Sequence, residues 1–183
     1  ISSGNMKVLN MLNTKYFIDR SGKVQKNSGA LGNAWFIENI VFSKNANEEI
    51  SNLNNFDPLT EAVVNESFKD LISKNQFTKS NKKISLQKYK PNHLTYVAEA
   101  NETSLLIFSE IYYDKGWNLY LNGKERPYFR ANYVLRAMEL PAGNHKIEFK
   151  FEPAKYYLGE KISFASSAVL IILLIFVGYR ELK

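Results

Sequence analysis

The chain has 183 residues, enough for one domain or one and a half, and 45% of them are hydrophobic, which excludes a mainly disordered polypeptide. Its formal charge of +6 comes from lysines scattered along the chain, which reads as a solvated basic surface, with anionic lipid heads or a polyanionic cell-wall polymer as a weaker reading; nucleic acid is not expected as a partner. With no cysteine, disulfides and thiolate metal sites are excluded.

Taken in chain order, "NMKVLNMLNT" places Met6, Val8, Leu9 and Leu12 at near-helical spacing and predicts a short helix ending near Asn13. "KYFID" predicts a strand with "RSGK" as its turn, and "KNSGALGNA" a Gly/Asn loop. Residues 35–43, "WFIENIVFS", are aromatic and β-branched and predict one strand. "NANEEISNLNN" offers an Asn cap with acidic residues in the first turn, predicting a helix over 46–53 that "FDP" ends. "TEAVVNE" predicts a further strand, and the polar stretch 73–83 a loop or a seam between two halves.

Beyond that loop the strand signals become dense, at 84–90, 93–100, 104–112, 117–121, 126–129, 133–139 and 145–152. "LNGK" at 121–124 is an Asn-Gly hairpin signal, and "PAGN" at 141–144 a second turn. Seven short strands at this spacing predict a mainly β fold, an antiparallel, jelly-roll-like β-sandwich with short accessory helices. In the last strand His145, Ile147, Phe149 and Phe151 share one face; Lys146, Glu148, Lys150 and Glu152 share the other, as an outer strand with one wet face would. The expected organisation is an N-terminal α+β segment (1–80) packing on a sandwich part (81–160) of the same domain, a transmembrane helix (162–179) and a tail (180–183).

The span follows from "ISFASSAVLIILLIFVGY", eighteen residues without charge or proline and within the length a transmembrane helix needs. A buried core helix would carry polar residues along one face, whereas 169–177 is apolar all round. Its C-terminal place is not that of a signal peptide, and Arg180 and Lys183 close it like a stop-transfer end. "AKYYLGEK" is expected to be a short tether, with Tyr156 and Tyr157 at the membrane interface. The sandwich then sits almost on the bilayer. Flanking lysines on both sides leave the orientation open. The start "ISSGNMK" leads to the expectation that more chain precedes Ile1.

Several residues are candidates for chemistry. Trp117, with Tyr112, Tyr113 and Tyr120, and with Asn118, Asn132 and Arg136 as polar partners, can form a carbohydrate-binding platform, because sugar rings stack their C–H faces on aromatics. Core packing is the competing reading for Trp117, and the favoured one. Arg136 stands in the apolar strand "YVLRAMEL" and needs a partner, for which Glu110 is the candidate in a structural ion pair. His93 and His145 lie apart with no ligand cluster, so no metal is expected, and no phosphate loop, nucleophile elbow or singled-out carboxylate pair occurs.

"PNHLTY", "SEIYYDKGWNLYLNGK", "ANYVLRAMELPAGNHKIEFKFEP" and Gly159 before the span together resemble the C-terminal end of the bacterial YfhO family of multi-pass membrane proteins. "VLNMLNTKYFI", "ALGNAWFI" and "FDPLTEAVV" look like that family's preceding segments, so the resemblance covers nearly the whole chain in order. The family is similar to GT-C glycosyltransferases. The resemblance implies a polyprenyl-phosphate sugar as donor and glycosylation of a cell-envelope glycopolymer, on the outer face of the bacterial inner (cytoplasmic) membrane. It also implies a transmembrane bundle N-terminal to this chain as partner, with the catalytic carboxylates outside the chain. No catalytic residue is carried over, no cofactor is expected here, and Asp57 and Glu110 match family positions without an assigned role. The alternatives are a membrane-tethered carbohydrate-binding module and a non-catalytic lid on the bundle.

Overall fold

A computed structural model of the chain describes residues 5–78 and 81–182; Lys79 and Ser80 of the predicted loop 73–83, and Lys183 of the tail, lie outside the described residues. The N-terminal part forms α1 (Met6–Met11) and a two-stranded hairpin, β1 (Tyr16–Ile18) with β2 (Val24–Lys26). The Asn5 side chain caps α1 by accepting from the backbone of Lys7 and Val8. Then follow β3 (Ala34–Ile37), β4 (Asn39–Ser43), α2 (Ala46–Asn52), β5 (Glu61–Asn65) and a 3-10 turn (Glu66–Leu71). Asn45 caps α2 through a bond from the Glu48 amide, as the sequence predicts, and Glu48 and Glu49 lie in the first turn.

The remaining strands are β6 (Lys82–Lys90), β7 (His93–Ala100), β8 (Ser104–Ile111), β9 (Trp117–Leu121), β10 (Lys124–Arg126), β11 (Phe129–Ala131), β12 (Leu135–Leu140) and β13 (Gly143–Phe151). They form a five-stranded sheet, β10-β9-β13-β7-β6, and a six-stranded sheet, β3-β8-β12-β11-β5-β4. The β9–β10 turn places Asn122 at φ 51° and Gly123 at φ 81°, the backbone that an Asn-Gly hairpin requires. The predicted strand 126–129 is two strands in two sheets, because Pro127 has no amide to donate to a ladder and the chain changes sheet there.

The predicted strand 35–43 also divides, at Glu38. β3 and β4 then stand at opposite edges of the six-stranded sheet, with one residue between them. A flat sheet would put those edges about 24 Å apart, five gaps of roughly 4.8 Å. One residue spans about 3.5 Å. The sheet therefore curls until its edges meet at Glu38, whose amide donates to Thr60 O (2.7 Å) and whose carbonyl accepts from Phe77 N (2.7 Å). Within it β4 and β5 run parallel, joined through α2; every other strand pair in either sheet is antiparallel.

This curled layer is buried on both faces. Leu105, Ile107, Leu135 and Ala137 point into its interior with Trp35, Ile37, Ala62 and Phe129. Leu106, Phe108, Met138 and Leu140 point the other way, onto Leu94, Tyr96, Leu119, Ile147 and Phe149 of the five-stranded sheet. The outer face of that five-stranded sheet is the wet one. Its central strand is β13, and there Glu148 is buried to 7% exposure by its neighbours on both sides, so the alternation correctly marks the polar face but the strand is not peripheral.

β13 ends at Phe151, and after Glu152 and Pro153 the helix α3 (Ala154–Glu181) begins and runs unbroken for 28 residues with no buried residue. The expected short tether is the first two turns of this helix. At about 1.5 Å per residue, the eighteen uncharged residues 162–179 cover roughly 27 Å, close to a hydrocarbon core, and residues 154–161 form a stalk of about 12 Å. Backbone bonds clamp the junction: Phe151 N donates to Asn92 O (2.9 Å) and Glu152 N to Gly116 O (2.5 Å). Gly116 adopts φ +121°, and a Cβ there would lie 2.8 Å from the Phe151 ring and 3.1 Å from Pro153. Only glycine fits this approach.

Candidate functional site

The registers place one set of loops beside the exit of α3. Phe151 is paired with Trp117, Lys150 with His93, Ile111 with Leu135, and Ala131 with Leu135. The β6–β7 turn, the loop 112–116 and the β11–β12 connection therefore share the end of the sandwich from which the helix leaves. All the predicted site residues lie in these loops or on the strands next to them, but they do not form one platform.

Trp117 shares a face with Leu119 and Leu121 and turns inward, half-buried, with its ring centroid 5.4 Å from that of Phe151. Asn118 points to the opposite face and donates to Glu152 Oε2 (3.2 Å). Tyr112 packs between Phe68 and Tyr128, while Tyr113 is 50% exposed. Asn132 is fully buried, and its side-chain oxygen accepts from Val63 N (2.8 Å), fixing the β5–β11 edge away from the aromatic group. Tyr128, which the sequence reading passes over, closes the loop: its hydroxyl donates to Tyr113 O (2.9 Å) and Trp117 O (3.2 Å). Burial pushes that hydroxyl up to about 12, although Arg136 opposes the shift.

Arg136 is 3% exposed and does not meet Glu110 in a direct ion pair. A β-bulge separates them. Leu135 pairs with Ile111 but Arg136 with Phe108, so Ser109 and Glu110 are inserted in β8. Arg136 Nε donates to Ile111 O (3.0 Å), and its guanidinium carbon lies 4.2 Å from the Trp117 ring centre and 5.0 Å from that of Phe149. Two aromatic faces and a carbonyl stand where the ion pair was expected, an arrangement suited to a planar, weakly hydrated cation. Burial raises the Glu110 carboxyl above its ordinary value, and the nearby Arg136 charge only partly offsets this.

The outer face of the five-stranded sheet carries a polar row whose members the sequence reading named separately but did not bring together. Tyr120 donates to Glu152 Oε2 (2.8 Å), and the Lys150 ammonium sits 4.7 Å from the Tyr120 ring centre. Glu148 accepts from His93 Nε2 (2.9 Å) and Lys146 Nζ (3.1 Å). Burial works to raise the Glu148 carboxyl, but these donors together with Lys150 outweigh it and hold it below its ordinary value. The signal was in the sequence: the wet-face residues of β13 alternate cleanly, and their cross-strand partners follow from the register. Elsewhere, a groove of about 270 Å³ opens at the far end of the sandwich, lined by Leu121, Arg126, Phe129, Met138 and Glu139 among others; none of the predicted residues lines it. Among the described residues no group of three His, Asp or Glu side chains is placed to hold a metal.

A family model described as bacterial membrane protein YfhO matches residues 58–163, more than half of the chain, from just before β5 into α3. The chain belongs to the YfhO family. It carries a β-rich domain, as the strand spacing predicts, and a helix long and apolar enough to cross a membrane, as the apolar run predicts. No curated protein and no solved structure matches it.

Because Trp117 covers Arg136 and packs on Phe151, Trp117→Ala is expected to destabilise the domain by about 2–4 kcal/mol, through lost burial and a lost cation–π contact. Denaturant unfolding of wild type and variant measures this, and a midpoint within error of wild type would show the ring to be a dispensable surface group. The two perturbed carboxyls should give opposite pH signatures. Glu110, raised on folding, favours the fold when protonated, so its contribution is present below the ordinary carboxylate value of 4.5 and lost as pH rises through its folded value. Glu148, lowered on folding, contributes above 4.5 and is lost as pH falls through its folded value. Stability measured across pH 3–7 should therefore lose its decline above about pH 4.5 in Glu110→Gln and its acid-side decline in Glu148→Gln. Identical pH profiles for all three proteins would contradict these environments.

Proposed function

We propose that this chain is the accessory C-terminal domain and last span of a polyprenyl-phosphate-sugar-dependent glycosyltransferase that modifies a cell-envelope glycopolymer. The domain stands on the extracytoplasmic side of the bacterial inner membrane, against the transmembrane bundle formed by the preceding part of the protein. The observation that carries this reading is the two-residue junction between β13 and a continuous membrane helix. It ties the domain to a continuous helix and holds it about 12 Å above the hydrocarbon, just over the headgroup layer where the phosphate-linked sugar of a lipid donor lies. The domain's own role is to position the acceptor and cover the bundle. The outer sheet row favours a glycan contact there, since Tyr120 presents a ring beside Asn118, Lys150 and Glu152, and an aromatic face flanked by donors and acceptors suits sugar hydroxyls.

Two readouts test it. In cells carrying the full-length protein without other cysteines, a cysteine at the exposed position 125 (Glu125→Cys) should react with a membrane-impermeant maleimide before lysis. Membranes should transfer sugar from the lipid donor, while residues 1–160 released alone should transfer none. Labelling only after lysis would move the domain to the cytoplasm, and turnover by the released domain would put the catalytic centre within it.

A further inference from the structure

The end of the sandwich that surrounds the helix exit is held at the root of the membrane helix. The β6–β7 turn and the loop 112–116 are each bonded to the backbone one or two residues before Pro153, through Asn92 O and Gly116 O. They therefore cannot swing away from the root of α3. On them the large apolar side chains are exposed: Tyr89 at 62%, Ile111 at 56% and Tyr113 at 50%. Lys88, Lys90 and Lys115 are exposed beside them, with Asp114 as the one acidic side chain on the same loop. Below this end the stalk adds Lys155, Tyr156, Tyr157 and Lys161, all exposed, with Glu160 as its one acidic side chain, accepting from the Tyr156 hydroxyl (3.1 Å). Tyrosine and lysine interleaved at this height is the composition that suits a membrane–water boundary.

The dimensions bring the two surfaces together. Each headgroup layer is about 5–8 Å thick, and the stalk rises roughly 12 Å above the apolar segment. An ordinary helix tilt of about 20° lowers one flank of the domain towards the lipid. We propose that the loop end carrying Lys88, Tyr89, Lys90, Ile111, Tyr113 and Lys115 docks on the headgroup layer of an anionic bilayer. The apolar groups enter the interface, and the lysines pair with lipid phosphates. This surface sets the tilt of the domain over the membrane. The inference rests on the transmembrane helix and not on the enzymatic reading or on which side the domain occupies.

The chain has no cysteine, so single-site labelling is clean. The full chain is placed in nanodiscs of phosphatidylcholine alone or with 30% phosphatidylglycerol, each holding a headgroup-spin-labelled lipid. Bimane is attached after Lys115→Cys, or after Asn101→Cys at the exposed β7–β8 turn of the opposite end, with Tyr113→Cys as a second site. Position 115 should be quenched about threefold or more over position 101 in the anionic discs, and less so without the anionic lipid or in 0.5 M salt. Lys88→Glu with Lys90→Glu should lower the quenching at 115 without moving that at 101. Equal quenching at the two ends, or quenching at 115 unmoved by lipid charge, overturns the proposal. Protection of position 115 that follows the number of chains per disc instead of lipid charge would assign the face to a second copy, and equally overturns it.

Discussion

Everything in this molecule is arranged around one covalent constraint: the central strand of its five-stranded sheet becomes, two residues later, a helix that crosses the membrane. A central strand is hydrogen-bonded on both sides, to β7 and β9, and cannot shift without breaking the sheet. Its last residues are also bonded to Asn92 and Gly116. The direction in which the chain leaves the domain is thereby fixed, and with it the end of the sandwich that faces the bilayer. The proposals about donor, acceptor and lipid surface all depend on that direction.

The packing behind the junction explains how a charge can sit there. Between the sheets an unpartnered guanidinium would be costly. Arg136 offsets part of that cost through position: the bulge at Ser109 and Glu110 brings the Ile111 carbonyl within 3.0 Å of Nε, and Trp117 and Phe149 supply ring faces on the inner side of the opposite sheet, while Nη1 is buried without a hydrogen-bond partner. The bulged residues are themselves held, with Ser109 donating to Asn33 and Met11 carbonyls at 2.9 and 2.6 Å, so the N-terminal helix buttresses the same point. Arg136, Trp117, Phe149 and the loop 112–116 form one mechanical unit. The polar row of Tyr120, Glu148 and Lys150 lies on the other face of the same strands, free of that packing duty, with Tyr120 and Lys150 half-exposed and covering the buried Glu148.

What the sequence made legible were the features that a few adjacent residues decide. The span follows from an unbroken apolar run, α2 from Asn45 and the two glutamates after it, the hairpin from Asn122-Gly123, and most strand limits from turn residues. What stayed hidden depends on long-range partners. Residues 35–43 read as one strand because nothing local at Glu38 shows that its two halves belong to opposite edges of a curled sheet. "SLLIF" and "LRAMEL" are near-continuous apolar runs instead of alternations, the mark of strands buried on both faces. The same blindness affects the site. Pairing Arg136 with Glu110 was reasonable for two charges on neighbouring strands, but the bulge changes the register between them. Asn132 reads as a free polar group until its bond to Val63, 69 residues away, is seen.

Fixed placement of the domain over the bilayer requires a helix that is continuous from the sandwich to the membrane. Amide hydrogen exchange of the full chain in lipid nanodiscs tests this directly over residues 157–161, whose amides lie within α3 and outside the hydrocarbon. A rigid stalk predicts slow exchange there, joining the protected strand β13 to the protected span. Fast exchange over those residues, with protection on either side, would show a flexible tether and contradict the fixed placement of the domain at the membrane surface.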